Sequence, residues 1–119
     1  MKSLTLLNPA QLGQTITEDY SNLPISLVND HVVRLSIMTQ PYYWHFHPNS
    51  DESFLGVEGI LVIELEDQII ELYPGQLFTI PRNTLHQTRP KAERSVNLTF
   101  EHQDMETVKK ESDPKSDNS

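Results

Sequence analysis

The sequence predicts an all-β domain, a sandwich or barrel of short strands rather than a layered α/β sheet. Two observations carry this. Runs rich in branched and aromatic residues fill residues 31–101, with turn signals roughly every ten residues. The chain of 119 residues has the length of one ordinary domain.

The elements follow in order. Residues 1–30 are punctuated by Asn8-Pro9, Gly13 and Leu23-Pro24, and no helical period persists there. They read as an irregular or short-stranded lead-in. HVVRLSIMT (31–39) is a strand. Residues 60–66 and 69–73 flank Asp67-Gln68 and suggest a hairpin, although Asp-Gln is a weaker turn pair than Asp-Gly. Pro74-Gly75 is the usual central pair of a type II turn. LFTI (77–80) is a further strand, broken by Pro81-Arg82-Asn83. Asn83 stands where a left-handed backbone is needed, which Asn tolerates best after Gly. In SVNLTFE (95–101), Val96, Leu98 and Phe100 share one face and Ser95, Asn97, Thr99 and Glu101 the other. The barrel is expected to span residues 31–102. Residues 103–119 are polar and free of aromatics, and are expected to form a disordered tail or a frayed short helix.

Composition excludes several functions. The net charge is −8, with nine scattered Lys and Arg. Nucleic acid and anionic membrane surfaces both need clustered basic residues. The chain has no cysteine, which removes disulfides, thiolate metal sites and thiol nucleophiles. No lysine lies between Lys2 and Lys91, which argues against Schiff-base chemistry in the barrel. Residues 3–7 are too short for a signal-peptide core, and the longest aliphatic run, residues 60–63, cannot span a bilayer. A cytoplasmic location is expected.

Chemistry concentrates in YYWHFHPNSDESFLGVEG (42–59). On a strand His45 and His47 point to the same face, and Tyr43 should share it. Trp44 and Phe46 should point the other way. Pro48-Asn49-Ser50-Asp51 is a turn, and the returning chain can bring Glu52 beside the two imidazoles. Two histidines and a carboxylate suit a divalent transition ion. The bland reading is a solvated His-x-His strand with a loop glutamate. His86, after the turn at Pro81 and Asn83, is the natural fourth ligand.

These two stretches resemble the paired motifs of the cupin superfamily. The first runs Gly-x5-His-x-His-x3 or x4-Glu-x6-Gly. Here His45, His47, Glu52 and Gly59 keep the spacing, and Thr39 replaces the opening glycine. The second runs Gly-x5-Pro-x-Gly-x2-His-x3-Asn. Here it is Gly75, Pro81, Asn83 and His86, with Asn83 in place of glycine and Pro90 in place of the last asparagine. Neither departure touches a ligand position. The resemblance covers residues 31–101. It implies a jelly roll, or double-stranded β-helix, whose mouth binds one divalent ion (Zn, Fe, Ni or Mn) through His45, His47, Glu52 and His86. It also implies a homodimer, in which the lead-in is a possible swapped strand.

Two functions follow. The first is a metal-dependent enzyme acting on a small oxygen-rich molecule, a sugar derivative or a hydroxy or keto acid. The resemblance implies isomerase, lyase or dioxygenase chemistry, all of which occur in cupins with this ligand set, and does not choose among them. The second is a non-catalytic barrel that binds or senses a small ligand. Tyr43 and Arg34 are the candidate catalytic groups. Tyr43 touches the ligand or merely packs. Arg34 clamps a carboxylate or phosphate, or snorkels to the surface, the favoured reading. His31 and His102 are read as surface residues, and Met38 and Phe100 as barrel filling.

Overall fold

A computed structural model of the chain describes residues 4–110. Among these, a short helix α1 (Pro9–Gln14) precedes β1 (Tyr20–Val28), β2 (His31–Met38), β3 (His45–Phe46), β4 (Glu52–Glu58) and β5 (Leu61–Leu65). Then come β6 (Ile69–Leu72), β7 (Leu77–Ile80), β8 (His86–Pro90), β9 (Ser95–His102) and β10 (Val108–Lys109). Two five-stranded sheets result, ordered β1-β2-β9-β4-β7 and β10-β3-β8-β5-β6. Each sheet mixes strands from both halves of the chain, as in a double-stranded β-helix. The expected all-β barrel is the fold observed.

Side-chain alternation sorts the first sheet into two faces. Leu35 and Ile37 of β2 pair with Leu98 and Val96 of β9 and form an outer core. Leu12 of α1 and Ile16 just after it pack over that core. The inner face joins the second sheet through Met38, Phe54, Leu61, Ile63, Leu72 and Ile80. Each such side chain contributes roughly 1.5–3 kcal/mol by leaving water. Both faces of β9 are thus covered, so its polar face points into the barrel rather than to solvent.

The lead-in is more ordered than its sequence suggests. Asn8 caps α1, its side chain accepting from Gln11 N at 3.2 Å, and Pro9 opens the helix. Arg94 Nη2 donates to the carbonyls of Gly13 and Ile16 at its other end. Six residues are too few to show a helical period. β1 pairs with β2 of the same chain along its whole length, and the expected boundary at residue 31 falls inside that hairpin. Pro24 sits at a register shift of this edge strand, where a missing N–H is tolerated.

The turns largely follow the sequence. Gln76 N donates to Tyr73 O at 3.0 Å around Pro74-Gly75, and Gly75 has φ +86°, a type II turn. A Cβ added at Gly75 would meet nothing within 4 Å. Gly75→Ala should therefore cost only backbone strain, about 1 kcal/mol in urea unfolding. In the β5–β6 hairpin Leu65 N donates to Gln68 O. The central pair is Glu66-Asp67, one residue earlier than expected.

The expected tail needs correction over residues 103–110. β10 pairs with β3 and adds an edge strand to the second sheet. Residues 111–119, the rest of the expected tail, lie outside the described residues. No helix among the described residues is long and apolar enough to cross a membrane.

Candidate metal centre

Three strands carry three of the four residues, and His47 directly follows β3. β3 and β8 place His45 and His86 directly opposite each other. The turn after His47 leads into Glu52, the first residue of β4. Asn83, with φ +67°, donates its N–H to His47 O at 2.8 Å. The left-handed turn expected there thus ties the approach to His86 onto the His-x-His segment. One ligand atom from each of His45, His47, Glu52 and His86 lies within 4.8 Å of the others. All four are buried, at 5%, 5%, 8% and 0% exposure.

The protonation pattern fits a cation. His45 Nδ1 donates to Tyr43 O at 2.6 Å, His47 Nδ1 to Glu106 O at 3.0 Å and His86 Nδ1 to Thr84 O at 2.8 Å. A carbonyl only accepts, so each Nδ1 carries the proton and each Nε2 offers a lone pair to the centre. His86 Nε2 is buried without a hydrogen-bond partner, 3.6 Å from Glu52 Oε1. His47 Nε2 lies 3.1 Å from the same oxygen. Lone pairs held this close around a carboxylate require a positive charge among them. A divalent ion would supply it, and three imidazoles with one carboxylate are a donor set that could hold Zn, Fe, Ni or Mn.

Comparison with known proteins agrees. A family model described as the cupin domain matches residues 38–100. The chain belongs to the cupin family. The Bacillus subtilis (strain 168) protein called "Uncharacterized protein YdbB" is 42% identical over 108 residues, 90% of this cupin and 95% of that protein. A cupin-2 domain containing protein from Shewanella frigidimarina has a solved structure with TM-score 0.77 and 26% identity. The match covers 82% of this chain and 95% of that one. A sugar phosphate isomerase from a cupin superfamily, from Silicibacter pomeroyi, superimposes with TM-score 0.68 at 18% identity, over 80% of this chain and 68% of that one. At that identity the likeness shows the fold alone.

Without a metal, protons take up part of this charge pattern. Burial and repulsion from His86 push His45 down to about 4. For His47, burial alone would lower the pKa, but the Glu52 carboxylate more than offsets it and the net shift is upward. Burial would raise Glu52, yet its contacts with His47 and His86 bring it down to about 2. A depressed folded pKa means stability is present above the unfolded value and lost as pH falls. For His45 the window runs from 6.5 down to about 4. Chelator-treated protein should lose about 3 kcal/mol across it in urea unfolding. In His45→Gln that part of the slope should vanish.

The structure divides the other sequence-predicted residues. Tyr43 is 59% exposed and lies outside the cavity, because the chain becomes a strand only at His45 and the alternation does not extend back. Tyr42 takes the expected place, its ring edge-on to His45 at 4.9 Å. Trp44 is buried within the chain rather than turned outward. Arg34 does not snorkel to open solvent. It lines the cavity and its Nε donates to Glu101 Oε2 at 2.9 Å. His102, read as a surface residue, also lines the cavity, while His31 is exposed.

Two parts of the site escaped sequence reading. One is the polar face of β9, whose alternation was visible but whose direction was not. The other is a strap, residues 103–110. Asn49 clamps it, donating to Asp104 O at 3.0 Å and accepting from Glu106 N at 2.8 Å. Thr107 Oγ1 lies 3.2 Å from His47 Nδ1, and Lys109 Nζ sits 4.6 Å above the Tyr43 ring.

Proposed function

We propose that this cupin is a metal-dependent enzyme that binds one divalent ion through His45, His47, Glu52 and His86. Its substrate is a small oxygen-rich molecule, a sugar derivative or a hydroxy or keto acid. The observation that carries the reading is the convergence of three carbonyl-pinned imidazoles and a carboxylate, of which His45, His47 and Glu52 line a cavity of about 180 Å³. That volume is below the ~300 Å³ at the lower end of drug-sized pockets, which favours a small substrate.

The bound ion would act as a Lewis acid on a carbonyl or hydroxyl, or as a site for oxygen. The chain's own groups do the rest. The backbone acceptors fix the three rings, and Glu52 supplies the one anionic donor. Tyr42 and Met38 wall the cavity and limit water. Arg34 and Glu101 form its charged lining. We further place the protein in the cytoplasm as a homodimer. A second copy would cover the outer face of the first sheet, where Leu23 and Leu77 stay exposed beside half-buried Val33 and Leu55. Light scattering should then give twice the chain mass.

Elemental analysis of untagged protein, beside a His45→Ala/His47→Ala double variant, tests the metal. Near-stoichiometric metal in the wild type alone supports the reading, and its identity selects the assay. That assay is oxygen uptake for iron, and sugar or hydroxy-acid turnover for zinc, nickel or manganese. If neither protein holds metal after incubation with each ion, the reading fails and a metal-free binding barrel replaces it.

A further inference from the structure

We infer that the inward face of β9 is a subsite for hydroxyl groups, and that the end of the ligand remote from the metal is an uncharged polyol rather than a phosphate. The inference rests on the proposed metal-dependent reading for which end of the ligand is which.

The register lays polar residues in rows across the first sheet. Glu52 on β4 is opposite Glu101 on β9. Phe54, Thr99 and Arg34 form the next row. Gly56, Asn97, Ser36 and Asn22 form the one after. Apart from Gly56, these residues all line the cavity that holds the metal ligands. The rows therefore lead away from Glu52 along one wall.

Asn97, Thr99 and Glu101 are buried, at 1%, 3% and 2% exposure. Asn97 Oδ1, Thr99 Oγ1 and Glu101 Oε1 nevertheless make no hydrogen bond of ordinary geometry, the Thr99 hydroxyl touching only the Glu101 carboxyl. Buried polar atoms are nearly always paired; Ser95 Oγ, on the same face but outside the cavity, is unpaired too, and the three that line the cavity call for a partner from outside the chain. Their chemistry says which partner. A carboxylate oxygen only accepts, and a hydroxyl both donates and accepts. Asn97 Nδ2 makes only a long 3.4 Å contact to Leu98 O, so either amide orientation leaves one polar atom free. The group that meets such a wall must donate at Glu101 and do both along the row, as successive hydroxyls do.

Charge argues the same way. Arg34 is the one basic side chain in the lining other than the histidines, and its Nε is already held by Glu101 Oε2 at 2.9 Å. The pair is neutral overall. A phosphate there would gain no net positive charge and would bring its own negative charge and mostly acceptor oxygens against Glu101 Oε1. An uncharged polyol loses nothing by this pairing.

The test uses metal-loaded, full-length protein, titrated calorimetrically with erythritol, xylose, inorganic phosphate and glycerol 3-phosphate. Metal content is measured on every sample. The expected result is binding of erythritol or xylose, weakened about 5–10-fold in both Thr99→Val and Glu101→Gln with metal content unchanged. Tighter binding of either phosphate compound, no binding of any probe, or polyol binding that both variants leave intact would each overturn the subsite. Failure of the metal-dependent reading looks different, because metal would then be missing from the wild type whatever the polyols do.

Discussion

His86→Ala should strip the protein of metal while leaving the barrel folded. His86 is fully buried, and its Nε2 has no protein partner, so at that atom the substitution removes a ligand and no internal hydrogen bond. Loss of a partner that merely orients a ligand already weakens metal binding about 10–100-fold. Loss of a ligand itself should cost at least ~100-fold. The three remaining donors also lose the ring that faces His45 at 4.2 Å between centroids. The chelator concentration that halves occupancy, read by elemental analysis, should drop accordingly. Circular dichroism should stay that of a β protein, since the two cores contain other residues. A folded variant that keeps stoichiometric metal would remove His86 from the ligand set.

The four clustered residues were legible in the sequence because their information is local. His45 and His47 sit two apart, Glu52 follows a turn, and His86 follows a proline and a left-handed asparagine, and the resemblance to the cupin motifs groups the four. Strand existence was legible for the same reason. Which way a strand faces is not local. The polar side of SVNLTFE looks like a solvent face until the opposite sheet and α1 close over both sides of β9. Arg34 shares that ambiguity: an arginine in an apolar strand is explained only by Glu101, 67 residues away. Tyr43 differs for another reason: alternation read back from His45 puts it on the imidazole face, but β3 begins only at His45 and Tyr43 is exposed. The strap is the hardest case, because residues 103–110 carry no apolar pattern and are held by clamps to Asn49 and to the β3 backbone.

That strap yields the second large effect. Deleting residues 104–119 should weaken metal binding about 10–100-fold, by the loss of a partner that orients a ligand. Glu106 O accepts from His47 Nδ1, and with it gone nothing from this segment fixes the ring's tautomer or tilt. The deletion also removes the β10–β3 pairing beside His45 and the donation from Lys110 N to Trp44 O at 2.7 Å. Met105 and Thr107 leave the cavity wall, so water reaches the centre and the charged groups there are better screened. Asn49→Ala separates orientation from bulk loss. It cuts both clamps to the strap, at 3.0 and 2.8 Å, without touching a ligand or shortening the chain. It should show the same direction with a smaller effect, about 10-fold. With cobalt as a spectroscopic ion, both variants should shift the visible bands, since the ring that donates Nε2 is no longer held at one angle. A truncated protein with wild-type affinity and an unshifted spectrum would mean that His47 is oriented by Glu52 and Asn83 alone. The strap would then be packing and nothing more.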